Sequence, residues 1–325
     1  QFSYNYFSSQ QKTDLGDVTG DVTGDGNIGE KTYAIHVPLA LQKQGKPQGP
    51  EGNKNITLKY VDYALFENTQ MTLDLYKQNI ENVFFFSTAL ANLDEGYSGG
   101  QSVIKSDKQG ARATFNSQFD FENLTATLIY GIDALNDKTS QPLVDGRVWV
   151  PEMDMKSVAG FLQTKWVIND DIIVKAGVRN ESIDLSVSDY QTLKLCKTVS
   201  QCSVPLNVRG DTINYDATTY NAGIKYNLTD AFSPFFSYSQ GSDISDIGRL
   251  LRAATVDDIA LVQTQASIID NYEIGFTSQF ENVRFEFALY RSTSELGTSN
   301  EYNEVTGVYE PVRAPQEIWG YEGLV

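Results

Sequence analysis

The sequence predicts an all-β fold, an antiparallel up-and-down transmembrane β-barrel, and three observations lead to this prediction. Apolar and polar residues alternate with a period of two along most of the chain, which is typical of strands with two different faces. Short and long connections between these strands alternate. The chain also has 18 Tyr and 17 Phe while only 21% of its residues are charged, a composition that favours strands over helices.

About twelve segments show the alternation. Most are close to ten residues long, the length that crosses a bilayer when a strand is tilted. The predicted strands are approximately 1–9, 55–63, 70–78, 109–119, 124–133, 158–167, 172–184, 218–228, 233–240, 270–279, 283–292 and 316–325.

The connections between these segments support a barrel rather than a soluble sandwich. The short ones are 64–69, 120–123, 168–171, 229–232 and 280–282, and the long ones are 10–54, 79–108, 134–157, 185–217, 241–269 and 293–315. In an up-and-down sheet, alternate connections lie at the same end, so all short turns share one end and all long loops the other. Outer-membrane barrels have this arrangement.

The apolar side of each strand needs a cover, and no second set of elements in the sequence supplies one. Lipid can cover it if the strands close into a ring, and the polar sides then line a lumen. The residues expected to point outward to lipid include Leu73, Leu75, Phe115, Leu128, Val174, Ile224, Ile274, Phe285 and Phe287. The residues expected on the concave side include Arg112, Asn116, Lys175, Arg179, Glu273, Arg284 and Glu286.

Composition excludes several classes of function. The net charge of −17 argues against a nucleic-acid partner and against attraction of the whole chain to an anionic lipid surface. The single histidine, His36, and the two cysteines exclude HExxH sites and four-cysteine zinc sites. No signal peptide precedes the first predicted strand, so we expect a processed chain or a fragment of a longer one.

Several short segments recur in a recognisable order and spacing. They are AGFLQ at 159–163, VKAGVRNE at 174–181, FSYSQG at 236–241, DIGR at 246–249, NYEIGF at 271–276, YRS at 290–292 and IWGYE at 318–322. Together they resemble the barrel of TonB-dependent outer-membrane receptors. The similarity is closest to the ferric-siderophore branch that includes aerobactin-type hydroxamate receptors, and it covers most of residues 55–325.

This resemblance implies a bacterial outer-membrane receptor that binds and imports a ferric siderophore, with no catalysis and no cofactor. Barrels of this family have about 22 strands, so residues 1–325 are expected to form part of one barrel, an open sheet if alone. The family's plug domain, its TonB box and the closing C-terminal strands are expected to be absent. Outer-membrane lipid and the TonB–ExbB–ExbD complex, reached through the missing N-terminal region, are the implied partners. A passive porin or diffusion channel is the alternative.

Four residues are candidates for ligand contact. Arg249 and Arg252 follow a strand that leads to the loop end, where cations attract anionic ferric hydroxamate–citrate complexes. Tyr97 and Tyr302 lie in predicted long loops and can stack on a ligand or form hydrogen bonds with it. The alternative is that these residues only tie the loops together.

Cys196 and Cys202 lie in one long loop, which the barrel topology places on the extracellular side. Oxidising compartments favour pairing, so we expect a disulfide, with Cα atoms about 4.4–6.8 Å apart. Two free thiols would instead fit a cytosolic chain.

A calcium loop is a weak candidate in the first long connection. Asp21, Thr23 and Asp25 stand where the oxygen ligands of an EF-hand-like loop would fall, followed by Gly26. Thr32 occupies the position of the expected bidentate acid, so the alternative is an acidic surface loop without an ion.

A G-x-S-x-G pattern at residues 96–100 gives a third, less favoured function, an outer-membrane esterase that uses Ser98. This nucleophile elbow needs a strand-to-helix turn and a histidine. The pattern lies in a predicted long loop, and His36 is the only histidine.

Overall fold

The computed structural model describes residues 1–9, 46, 48–97, 99–198, 201–244, 247–262, 266–303 and 308–325, most of which are in strands. The strands are β1 (Phe2–Phe7), β2 (Gly49–Pro50), β3 (Asn53–Phe66), β4 (Thr69–Ser87), β5 (Gly100–Phe121), β6 (Leu124–Pro142), β7 (Val148–Ile168), β8 (Ile172–Val187), β9 (Tyr190–Gln191), β10 (Cys196–Thr198), β11 (Gln201–Cys202), β12 (Asn207–Val208), β13 (Asp211–Tyr226), β14 (Phe232–Asp243), β15 (Ser267–Phe280), β16 (Val283–Asn303) and β17 (Val308–Leu324). Helical structure in these residues comprises α1 (Ile247–Arg252) and the 3₁₀ turns Thr88–Leu90, Leu93–Glu95 and Ile259–Leu261. No helix in the described ranges has the length and hydropathy needed to cross a bilayer.

The long strands form one antiparallel sheet in the order β1-β3-β4-β5-β6-β7-β8-β13-β14-β15-β16-β17, with the short β2 added to β4. Two small pairs, β9 with β12 and β10 with β11, lie in the connection between β8 and β13. β1 and β17 are the edges of the sheet, which is therefore open. All twelve predicted strands are present, and the predicted antiparallel up-and-down order is confirmed.

In three of the six connections predicted as long loops, 79–108, 134–157 and 293–315, the neighbouring long strands occupy most of the residues, so that part of the prediction was wrong. β4 continues to Ser87 and β5 begins at Gly100. Residues 143–147 join β6 to β7, instead of the predicted 134–157. β16 continues to Asn303 and β17 begins at Val308, both inside the predicted loop 293–315. On β7 the alternation continues with its polar and apolar sides exchanged, as described below, whereas the residues of β16 from Ser292 to Asn300 are mostly polar on both faces.

The five tight turns lie at one end of the sheet, as predicted. In the turn between β7 and β8, Asn169 and Asp170 have φ values of 51° and 63°. A type I′ turn requires this left-handed conformation at both of its central residues, and Asn and Asp adopt it more readily than most residues. The N–H of Asp171 closes the turn by donating to the carbonyl of Ile168 at 3.1 Å. We call this end of the sheet the turn end and the opposite end the loop end.

The pairing register assigns each residue of the long strands to one of two faces. Direct cross-strand pairs place all nine residues expected to point to lipid on one face and all seven expected lumen residues on the other. On the first face Ile132 is 64% exposed, whereas the side chain of its neighbour Asp133, on the second face, is 12% exposed. Side chains converge on the concave side of a curved sheet, so the first face is the outer face and the second is the inner face.

The outer face is apolar only up to a sharp boundary. On β6 the outward residues from Leu124 to Ala134 are Leu, Ala, Leu, Tyr, Ile and Ala, and the next two are Asn136 and Lys138. The first outward residues above the boundary on the other strands are Lys77 (β4), Gln109 (β5), Lys156 (β7), Asn180 (β8), Thr218 (β13), Gln240 (β14), Asp270 (β15) and Arg291 (β16).

This boundary crosses the strands at a slope. Arg291 is the boundary residue of β16, and following direct cross-strand partners from it over eight steps leads to Thr69 on β4. The boundary residue of β4 is Lys77, which is eight residues closer to the loop end than Thr69. With about 3.3 Å per residue and about 4.8 Å between strands, the strands tilt by about 35° from the normal to the boundary. The apolar band from Leu124 to Ala134 is then about 27 Å high, close to the ~25 Å of transmembrane barrels.

Above the boundary the polarity of the faces is reversed on β7, β8 and β13. The inner face of β8 carries Lys175, Arg179 and Glu181 near its middle, but Leu185 and Val187 at the loop end, where they are 4% and 5% exposed. The largest buried cluster of the described residues therefore lies on the inner face at the loop end. It consists of Leu185, Val187, Val208, Tyr215, Ile247, Leu251 and Ile259.

Candidate functional site

The connection between β14 and β15 covers the inner face at the loop end. Leu251 of α1 and Ile259 of the following 3₁₀ turn are fully buried against β8 and β13. The hydroxyl of Tyr190, from the connection between β8 and β13, donates to the carbonyl of Leu251 at 2.8 Å. Burial raises the pKa of Tyr190 to about 12. The two connections thus form one packed unit.

A second link between these connections involves Arg209 and Asp258. Their side chains form an ion pair, and the N–H of Arg209 donates to the carbonyl of Asp257 at 2.8 Å. The Asp258 carboxylate also accepts from the N–H of Ala260 at 2.9 Å, which caps the 3₁₀ turn. This backbone hydrogen bond is the main cause that holds the pKa of Asp258 below its usual value, and Arg209 adds to the effect.

Arg147, between β6 and β7, ties down the connection between β4 and β5. Its guanidinium donates to the carbonyls of Leu90 at 2.9 Å and Gly99 at 2.7 Å. It also pairs with Asp145 at 2.7 Å, and both side chains are only 10% exposed. Its plane lies over the ring of Tyr97 with 4.0 Å to the centroid. One arginine therefore fixes both ends of the segment 88–99.

A disulfide joins Cys196 and Cys202, as predicted. Their Cα atoms are 3.9 Å apart, which is shorter than the expected range, because the two residues are direct partners in the β10–β11 hairpin. The hairpin contacts the segment 88–99 through a bond from the N–H of Cys196 to the carbonyl of Ala91 at 2.7 Å. Beside it, Lys194 pairs with Asp94 at 2.8 Å, and this hydrogen bond raises the pKa of Lys194.

A cleft of about 470 Å³ lies between these connections and the start of β7. Pockets that bind small molecules have about 300–1,000 Å³. Residues that line the cleft include Asn92, Glu95, Arg147, Glu152, Asp189 and Lys194. Two of these, Arg147 and Lys194, already pair with Asp145 and Asp94, so carboxylates dominate the charge of the cleft.

The structure places the four predicted ligand residues at different points. Arg249 and Arg252 lie on α1, where the guanidinium of Arg252 stacks on Trp149 at 4.1 Å. Tyr97 lies under Arg147 in the segment 88–99. Tyr302 lies in β16, where its backbone pairs with Tyr309, rather than in a loop. Tyr97 thus helps to join the segment 88–99 to the turn between β6 and β7, and Arg252 helps to join α1 to β7.

The other motifs of the sequence lie outside the described residues. This applies to the calcium-loop candidates Asp21, Thr23 and Asp25 and to the esterase candidates His36 and Ser98, so the calcium site stays a prediction. Within the described ranges, the one group of three potential metal ligands is Asp94 with the two cysteines. Disulfide sulfur lacks the thiolate charge that binds metals, so this group does not form a metal site.

A network of charges crosses the inner face of four strands at mid-height. Arg179 donates to both oxygens of Asp133, at 2.8 and 3.1 Å, and to Glu181 at 3.3 Å. Arg112 also reaches Asp133 at 3.3 Å, and Ser157 donates to Glu181 at 2.5 Å. The sequence predicted Arg112 and Arg179 as polar lining of the lumen, but only the register brings them to Asp133.

Sequence reasoning missed Arg147, Asp145 and Tyr190, which join the loops. No motif marks them. The tripeptide Asp-Gly-Arg at 145–147 indicates a turn. The carbonyls of Gly99 and Leu90, to which Arg147 donates, lie 48 and 57 residues away along the chain.

Comparison with known proteins identifies the architecture. The family model described as "TonB dependent receptor-like, beta-barrel" matches residues 1–325. The chain is 23% identical over 309 residues to a ferric aerobactin receptor of Klebsiella pneumoniae, covering 83% of this chain and 40% of that protein. It is 24% identical over 362 residues to the rhizobactin receptor of Rhizobium meliloti (strain 1021), covering 99% of this chain and 46% of the relative. The chain therefore spans less than half the length of these curated relatives.

Solved structures show the same fold at low sequence identity. The copper transporter OprC superimposes with a TM-score of 0.67 at 12% identity, covering 86% of this chain and 45% of that chain. The siderophore receptor PiuA from Acinetobacter baumannii gives 0.58 at 14% identity, covering 99% and 50%. With the matched family model, the apolar band and the tilted antiparallel strands, these likenesses lead to one conclusion: the chain belongs to the TonB-dependent receptor β-barrel family, whose members are outer-membrane proteins of Gram-negative bacteria.

Proposed function

We propose that the full-length protein imports a ferric siderophore across the outer membrane, driven by the TonB–ExbB–ExbD complex. The curated relatives named ferric aerobactin receptor and rhizobactin receptor support this proposal. So does the assembly of connections at the loop end, which covers the inner face and contains a cleft of ligand size. The family and these names indicate transport rather than enzymatic catalysis, and they do not favour a passive porin.

The packed loops are the observation that carries the proposal. The buried residues of α1 pack on the inner face of β8 and β13, so the connections at the loop end form a folded layer there. A receptor needs loops held in place before the ligand arrives, because ordering them on binding would reduce affinity. Arg147, the disulfide and the bond from Tyr190 to Leu251 provide this order.

Charge suggests which side chains attract the ligand. The cleft is rich in carboxylates, so it does not by itself attract an anionic iron chelate. Arg249 and Arg252 add two cations to α1, next to the buried cluster. A guanidinium binds anionic oxygen atoms through the N–H groups in its plane. We propose Arg249, Arg252, Tyr97 and Tyr302 as ligand contacts.

The test uses the full-length protein in cells that lack other siderophore receptors. Iron-limited growth and uptake of radioactive iron supplied as ferric aerobactin should require the protein and should stop when TonB is deleted. Uptake that persists without TonB would instead support the porin alternative. If no hydroxamate siderophore were taken up, the proposal would be contradicted.

The ligand contacts are tested separately. Arg252→Gln should weaken ferric aerobactin binding to the purified protein by about tenfold, the loss of one charge-assisted hydrogen bond. Arg291→Gln is the matched control, because it removes the same charge from the outer face. Equal affinity of the two variants would exclude Arg252 as a contact.

A further inference from the structure

The helix α1 is docked closely on the start of β7. A Cβ atom at Gly248 would lie 3.1 Å from Cγ1 of Val150 and 3.5 Å from Cε of Met153, so glycine at this position permits the close approach. Leu251 on the same helix is fully buried, and its carbonyl accepts the hydrogen bond from Tyr190 at 2.8 Å. The position of α1 is therefore fixed by packing against β7 and by a hydrogen bond to its last turn.

The last residue of α1, Arg252, stacks on Trp149 of β7. The Cζ atom of the guanidinium lies 4.1 Å from the centroid of the indole ring. Both residues are partly exposed, so solvent reaches the stacked pair. Trp149 follows Arg147 by two residues, and Arg147 is anchored to Asp145 and to two carbonyls of the segment 88–99. The backbone that carries the ring is thus held in place as firmly as the helix.

The stacking has a physical effect that packing alone would not provide. The face of an aromatic ring attracts a cation within about 6 Å of its centroid, and tryptophan does so most strongly. Arginine loses more rotamer freedom than most side chains when it is held in one conformation. A ring that restrains the guanidinium before the ligand arrives removes part of this loss from the cost of binding. An aliphatic residue at position 149 could pack against α1 but would not attract the cation.

We propose that Trp149 is a positioning residue for ligand binding. Its ring holds the guanidinium of Arg252 where this cation meets the anionic oxygen atoms of an iron chelate. This role rests on the proposed function, because it takes an anionic ferric siderophore as the ligand. Since Trp149 acts through Arg252, its effect on affinity should disappear when Arg252 is replaced.

A double-mutant cycle on the purified full-length protein tests this role, with ferric aerobactin as the probe. Trp149→Leu should weaken binding about fivefold, the contribution of one cation–π contact, whereas Trp149→Phe keeps an aromatic face and should retain most of the affinity. In the Arg252→Gln background, Trp149→Leu should change the affinity by less than about twofold. Trp319→Leu is the matched control, because it removes an exposed tryptophan from the outer face and should leave the affinity unchanged.

A second measurement needs no ligand. Phenylglyoxal modifies arginine side chains, and mass spectrometry gives the rate of modification at each site. Trp149→Leu should raise the rate at Arg252 about fivefold, because the guanidinium is no longer held against the ring. The rate at Arg291, which lies on the outer face, should not change.

The outcomes separate this role from packing and from the proposed function. Equal losses of affinity from Trp149→Leu in the two backgrounds would mean that Trp149 only packs α1 against β7, which would overturn the proposal. An unchanged affinity of Trp149→Leu, or an unchanged modification rate at Arg252, would overturn it as well. If the unaltered protein did not bind ferric aerobactin, the proposed function would fail instead, and the modification rates would then decide whether Trp149 positions Arg252.

Discussion

The turn-end half and the loop-end half of the strands β7, β8 and β13 have opposite patterns. Near the turns, apolar residues such as Val174 and Ile224 point outward while Lys175 points inward. Near the loops, Asp184 points outward while Leu185 is buried on the inner face. The backbone and its pairing are continuous through the change. The difference shows that the material covering a face, rather than the strand itself, decides which side chains it carries.

Each half is expected to have its own cover. In the outer membrane we expect lipid on the outer face of the turn-end half, whose inner face is polar, with the charge network of Asp133 at its upper limit. In the loop-end half we expect water on the outer face, while α1 with its neighbouring connections covers the inner face. A charged side chain is therefore expected to be destabilising on the outer face of the turn-end half and on the inner face of the loop-end half.

The largest effect is expected inside the loop-end half. Leu185→Asp places a carboxylate without a partner in the buried cluster, which should lower the free energy of unfolding by about 3–5 kcal/mol. Lys175→Gln lies on the same strand and face in the other half and should stay within about 0.5 kcal/mol. Denaturant unfolding of the full-length protein in detergent measures both. If the two variants had similar free energies of unfolding, the inner faces of the two halves would not differ in the way described.

A charge on the outer face should show the opposite dependence on position. Ile224→Arg inserts a cation into the apolar band at a cost of about 2–4 kcal/mol, whereas Asp216→Arg, eight residues along the same strand and face, lies above the boundary and should cost almost nothing. The folded fraction in lipid vesicles, measured on unheated gels, gives the result. If Asp216→Arg impaired assembly as strongly, the boundary would be misplaced.

Loss of the contacts of Arg147 should reduce the order of the loops but should leave the long strands unchanged. Arg147→Ala leaves the buried Asp145 carboxylate and two carbonyls without their donor, a loss of about 2–3 kcal/mol. Limited proteolysis should then cut segment 88–99 while the strands remain protected. The control Arg291→Ala removes an exposed ion pair with Glu317 and should leave the protease pattern unchanged.

The smallest effect concerns pH. Burial raises the pKa of Tyr190 to about 12, above its ordinary value of 10.0, so folding favours the neutral phenol. The stabilisation of the folded state by the neutral Tyr190 phenol is fully present below pH 10 and is lost as the pH rises from 10 to 12. Protease sensitivity of the loop-end connections should increase over this range. Tyr190→Phe should reduce the pH dependence, and an unchanged profile would assign the effect to another group.

Twelve strands, their order and the two faces in the turn-end half were predictable from the sequence. The reason is that a strand with one apolar and one polar face must keep strict alternation, and neighbouring residues such as Val174 and Lys175 show this alternation in the sequence itself. The disulfide was also predictable, since Cys196 and Cys202 are close in sequence and are the only two cysteines. Two of the missed loop-end stretches have different reasons. On β7 the reversal of the faces interrupts the alternation, so the pattern at 134–157 indicated a loop. On β16 the residues from Ser292 to Asn300 are mostly polar on both faces, so the pattern at 293–315 indicated a loop as well.

The tertiary structure alone decided how the loops assemble and where the membrane boundary lies. Arg147 reaches Leu90 and Gly99, and Tyr190 reaches Leu251, across 48 to 61 residues of chain. Such contacts leave no periodic signal, because a single arginine or tyrosine can form them from many positions. The slope of the boundary likewise depends on more than one strand. The sequence of each strand shows where its own outward apolar residues end, but the heights of these end points on neighbouring strands can be compared only when the pairing register is known.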